Sequence, residues 1–154
     1  MSYQSFRRVA KIYGISHLIA GTLYIPFHKL IPHACNFVSD FLGLPFEHLP
    51  LPSEMFWFTL SVSMMYMIAF SAYLTYKGEQ FVHAWEVIIL SKGTSTFLFF
   101  LFFLFDVRAF AYICGVLVDG PLFAIALYTY RKYKQSKLSE LKENAHSGSS
   151  QRGS

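Results

Sequence analysis

The feature that most limits what this chain can fold into is the run Phe97-Leu98-Phe99-Phe100-Leu101-Phe102-Phe103-Leu104-Phe105, an unbroken series of large apolar side chains. A strand or helix facing water on one side interrupts its apolar residues at a period of 2 or about 3.6. This run does neither. It belongs to one of four apolar stretches, near 10–31, 55–76, 84–105 and 110–130. Each is long enough to cross the roughly 30 Å hydrocarbon layer, which takes about 20 helical residues. With 54% hydrophobic and only 14% charged residues in 154, the chain is too apolar for a water-soluble domain of its size.

In lipid the backbone must satisfy its own hydrogen bonds, and a barrel strand would alternate, so continuous apolar runs predict helices. The expected fold is all-α: a four-transmembrane-helix bundle over 1–143, followed by a polar tail, 144–154, that is disordered or an expression-tag remnant. Arg7, Arg8 and Lys11 ahead of the first stretch imitate a signal peptide. That stretch is long for one and lacks a small-x-small site, so it reads as a retained anchor. Leu30 to Cys35 imitates a lipoprotein site, but Pro32 and His33 stand where small residues are needed. Two cysteines, Cys35 in a loop and Cys114 in a span, do not make a disulfide framework.

Basic residues near span ends set orientation. Of 13, ten fall on one side: Arg7, Arg8, Lys11, Lys77, Arg131, Lys132, Lys134, Lys137, Lys142 and Arg152. Lys29 and Arg108 fall on the other, and Lys92 lies inside a span. Both termini are therefore expected in the cytoplasm. The net charge of +4 flanks spans and carries no recognition motif, which argues against nucleic acid and for anionic headgroups.

The long connection from His28 to Glu54 holds Pro32, Pro45, Pro50 and Pro52, with Pro26 at its border, and cannot be one helix. Within it Phe37, Val38, Phe41 and Leu42 share one face while Asn36, Ser39 and Asp40 take the other, predicting a short amphipathic helix at the membrane surface. Ser53 is positioned to cap the second span. The other two connections are short, so consecutive helices should be antiparallel neighbours.

Ionisable groups in hydrocarbon cost about 2.5–3.5 kcal/mol each on insertion scales, so each demands a reason. His17, Lys92 and Asp119 lie at depths of about 10, 12 and 16 Å from the cytoplasmic ends, counted at about 1.5 Å per residue. Lys92 and Asp119 are thus placed to pair, with His17 nearby. The pair either neutralises itself and fixes helix register or forms part of a ligand, proton or substrate site.

Helical spacing groups Gly14, His17, Gly21 and Tyr24 on one face, Trp85, Lys92 and Thr96 on another, and Tyr112, Gly115 and Asp119 on a third. Pro121 frees the Leu117 carbonyl, predicting a kink beside Asp119. Glu86, near the cytoplasmic boundary, is an interfacial anchor or an acid/base candidate. Haem needs two facing histidines, and His17 is the one histidine well inside a span. The loop residues His28, His33, His48, Cys35, Asp40, Glu47 and Glu54 lack ligand spacing, so no metal is expected. No nucleotide, hydrolase or dithiol motif occurs.

The order Gly43-Leu44-Pro45, Trp57, Lys92-Gly93, and Asp119 followed by Pro121 and Phe123 resembles bacterial four-helix membrane proteins of DoxX-like architecture over about 8–132. The resemblance implies a bacterial cytoplasmic (inner) membrane and a link with quinol oxidation and redox stress, with no redox ligand set to carry over. The leading expectation is an accessory or ligand-binding membrane subunit with a polar site at His17, Lys92 and Asp119, in a homo-oligomer or larger complex. A homodimeric transporter that is proton-coupled or carries a lipophilic substrate, and an enzyme acting on a quinone- or sterol-like molecule, are the alternatives. No cofactor is predicted, quinone and haem being the groups to consider.

Overall fold

The structure, a computed structural model, describes residues 1–48, 55–106 and 108–150, with the side chains of 55–57 and 145–150 left aside. The expected cap at Ser53, the residues Pro50, Pro52 and Glu54, the Trp57 side chain and the last four residues of the tail lie outside that description. The described residues are all helical apart from turns and one isolated bridge between Glu47 and Ala109. The helices are α1 (Tyr3–Phe27), α2 (Leu30–Phe41), α3 (Met55–Lys77), α4 (Ala84–Phe105) and α5 (Phe110–Ser150), with a single 3₁₀ turn, Glu79–Phe81, before α4.

The helix α1 starts well ahead of the first apolar stretch because Ser2 caps it, its side chain accepting from the Ser5 N–H at 3.4 Å. It stops at Phe27, just past Pro26, and Leu30 and Ile31, expected at its end, begin α2 instead. Pro32 fits inside α2 because it sits in the first turn, where a backbone N–H has no helical partner to lose. The helix α5 carries 41 residues, about 60 Å at 1.5 Å per residue, and so extends some 30 Å beyond a hydrocarbon layer. Its helical path continues to Ser150, through most of the stretch expected as a polar tail.

Three helices, α3, α4 and α5, are long and apolar enough to cross a membrane. At 25 residues α1 has the length, about 37 Å, but Arg7, Arg8, Lys11 and His17 dilute its apolar character. The surface agrees with a lipid setting. Phe97, Leu90, Leu117 and Phe105 are exposed, while His17, Ser71, Thr75, Lys92 and Thr129 are buried. A water-soluble domain would arrange these the other way round.

Two tight pairs build the fold, α1 with α3 and α4 with α5, joined mainly through α3 and α4. Missing side chains set both contacts. A Cβ on Gly21 would lie 3.1 Å from the Met65 Cβ, and one on Gly14 3.3 Å from the Ala72 Cβ. In the second pair Gly93 of α4 receives the Phe123 ring and Gly115 of α5 receives the Phe99 ring.

Where the pairs meet, Phe6, Tyr13, Trp85, Ile88, Ala126, Tyr130 and Tyr133 form a buried cluster, with Phe6 stacked on Tyr133 at 4.9 Å and edge-on to Trp85 at 5.2 Å. This end also carries the polar latches. Tyr3 Oη donates to the Thr75 carbonyl at 3.0 Å and Arg7 Nε to the Tyr76 carbonyl at 2.8 Å, so α1 satisfies acceptors at the C-terminus of α3. Tyr133 Oη, at 2.5 Å, and Lys137 Nζ both donate to Glu79 Oε1.

Candidate functional site

One turn of α4 supplies Lys92, Ser95 and Thr96, and α5 supplies Asp119 opposite. Lys92 Nζ donates to Asp119 Oδ1 at 2.7 Å, and Ser95 Oγ donates to Asp119 Oδ2 at 2.5 Å. Both carboxylate oxygens therefore have a donor. The two charged side chains are about nine-tenths buried, at 11% and 13% exposure. Thr96 Oγ1 donates to the Lys92 carbonyl at 2.7 Å, turning its hydroxyl onto its own helix rather than toward a ligand.

On α1, His17 and Tyr13 stack one turn apart with ring centroids 4.5 Å from each other. His17 Nδ1 donates to the Tyr13 carbonyl at 2.9 Å. That acceptor requires the hydrogen on Nδ1, which leaves Nε2 of the neutral ring as an acceptor. The helix α1 that carries these two rings also contacts α5, the helix of Asp119. The Tyr13 ring also meets Trp85 edge-on at 5.3 Å.

Tyr13 is 4% exposed, and its hydroxyl has no hydrogen-bond partner among the described residues. Leaving a buried hydroxyl unpaired costs about 1–3 kcal/mol. No family model matches the sequence, and no curated protein or solved structure matches it either.

The structure pairs Lys92 with Asp119, buries His17 on the helix that contacts α5, and sets the other candidates apart. Trp85 belongs to the buried cluster, where its Nε1 donates to the Ala126 carbonyl at 2.9 Å, so its polar atom is already used. Glu86 is exposed and accepts from Tyr130 Oη and, at 3.5 Å, from Lys134 Nζ, an arrangement suited to anchoring α5 on α4. Tyr24 packs on Phe58 at 5.6 Å, two turns beyond His17.

Sequence reasoning missed Tyr13 and Ser95. Tyr13 lies four residues before His17, the spacing that places two side chains on one helix face, so the signal was present in the register. Ser95 gave no such signal, because only the packing of α4 on α5 turns its hydroxyl toward Asp119. No group of three or more metal-ligating residues occurs among the described residues.

Proposed function

We propose that this chain is a bacterial inner-membrane protein of DoxX-like, four-span architecture that binds a lipophilic molecule bearing a hydroxyl or carbonyl oxygen, such as a quinol or a sterol-like compound, in an accessory rather than a catalytic role. In this arrangement α1 is the fourth span, α2 lies along the outer membrane surface, and both termini are cytoplasmic. Arg7, Lys11, Lys77, Lys134 and Lys137 gather at the end where α1 begins, α3 ends and α5 emerges, which supports that orientation. The outward-facing Phe37 and Phe41 of α2 suit an element resting on lipid.

The observation that carries the reading is the unpaired Tyr13 hydroxyl beside His17. A phenol donor and an imidazole acceptor together match a hydroxyl group, which both accepts and donates. The Lys92–Asp119 pair, already satisfied by Ser95, keeps the surrounding helices in register. A hydrogen-bond donor and an acceptor side by side suit holding one oxygen, hence the binding role. A homo-oligomer or larger complex would supply the remaining machinery.

Tyr13→Phe tests it. Removing an unsatisfied buried hydroxyl raises stability or leaves it unchanged, whereas removing a ligand donor weakens binding. With decylubiquinol as the probe in detergent, wild-type protein is expected to show a saturable rise in melting temperature. Tyr13→Phe and His17→Ala lose that rise while the unliganded Tyr13→Phe melts no lower than wild type. A Tyr13→Phe variant that binds like wild type would sink the proposal.

A further inference from the structure

The chain's two cysteines are distant in sequence, yet the fold brings them to one place. Cys35 lies on the face of α2 that also carries the buried residues Pro32 and Ser39, opposite the exposed Phe37 and Phe41. That face packs on α5, where Cys114 stands in the second turn. Both thiols are free and half-buried, and they are within reach of a side-chain hydrogen bond to each other. A second attachment holds the same segment in place: the Glu47 N–H donates to the Arg108 carbonyl at 3.0 Å, and Glu47 bridges to Ala109 beside the start of α5.

We propose that Cys35 and Cys114 form an intramolecular disulfide that fastens α2 to the outer end of α5. Three observations support it. The positions are fixed from both sides, by the helix face at Cys35 and by the bridge at Glu47, so the approach does not depend on one flexible contact. The largest apolar side chains of α2, Phe37 and Phe41, point away from the protein, so the face that carries Cys35 is the one turned toward it. This end also lies opposite the gathered basic residues, and in the orientation proposed above it is the side of the membrane where thiols meet an oxidising medium.

The reaction is thiol–disulfide exchange with a small-molecule disulfide. The thiolate of Cys35, on the element outside the spans, attacks one sulfur of the oxidant, forming a mixed disulfide and expelling one thiolate. The thiolate of Cys114 then attacks the Cys35 sulfur and expels the second. Two protein thiols lose two protons and two electrons, and one disulfide becomes two thiols. The new bond closes a loop containing the rest of α2, all of α3 and α4 and the beginning of α5, which restricts the unfolded chain more than a local cross-link would.

The test uses the full chain in detergent, reduced with dithiothreitol or oxidised with glutathione disulfide, then denatured in SDS and capped with a polyethylene-glycol maleimide. Reduced protein should carry two adducts and oxidised protein none, with no disulfide-linked dimer on a non-reducing gel and with mass spectrometry joining the peptides around 35 and 114. The oxidised form should melt several degrees higher than the reduced one, and Cys35→Ser and Cys114→Ala should each abolish that difference. Two reactive thiols after oxidation, two stable glutathione adducts, or cross-linking only between molecules would each overturn the proposal.

Discussion

Removing both charges of the Lys92–Asp119 pair should harm the protein far less than removing either one. At 2.7 Å and an effective dielectric near 20, the attraction between the two charges is about 6 kcal/mol. Taking the ions out of water costs several kcal/mol each, so the net contribution of the intact pair is small. The single variants keep the desolvation penalty and lose the attraction. Lys92→Met leaves Asp119 with only the Ser95 hydroxyl, and Asp119→Asn leaves an ammonium facing a neutral amide. Each should cost about 3–5 kcal/mol. The double variant should fall within about 1–2 kcal/mol of wild type, giving a coupling of at least about 3 kcal/mol across the cycle. Reversible unfolding in mixed micelles, followed by tryptophan fluorescence, measures all four proteins. Additive single costs would refute the reasoning, because they would mean that each charge finds water or lipid headgroups independently of the other.

Gly115→Leu should separate α4 from α5, because a Cβ there would lie 2.6 Å from the Phe99 ring; a cost of about 1–3 kcal/mol is expected, partly recovered by adding Phe99→Ala. Glu79 is held below the usual carboxylate range by its hydrogen bonds from Lys137 and Tyr133, while burial and the Glu79 bond push the Tyr133 hydroxyl up to about 12. A depressed carboxylate contributes stability above its unfolded value of 4.5 and loses it as pH falls through the folded value. Glu79→Gln should therefore lower the melting temperature at pH 7 by no more than about 2 °C, since the group is largely exposed, and the difference should shrink as pH falls from 4.5 through the lowered folded value, as thermal melts across that range would show.

The membrane character and the helices were legible in the sequence because lipid makes one demand that needs no tertiary context: each crossing segment must be apolar and must bond its own backbone. The same demand singled out His17, Lys92 and Asp119, since a charge in hydrocarbon is costly wherever the helix ends up. Helix register was the hidden variable. Trp85 shares a face with Lys92 at seven residues' spacing, yet its indole is consumed by the Ala126 carbonyl, while Ser95, on no predicted face, completes the Asp119 site. Whether a side chain meets a partner depends on how two helices rotate against each other. Rotation is set by where Gly93 and Gly115 admit Phe123 and Phe99, contacts between residues far apart in the chain. The unpaired Tyr13 hydroxyl and the meeting of Cys35 with Cys114 arise in the same way. Sequence determined what each segment must be; packing alone decided which polar groups face one another.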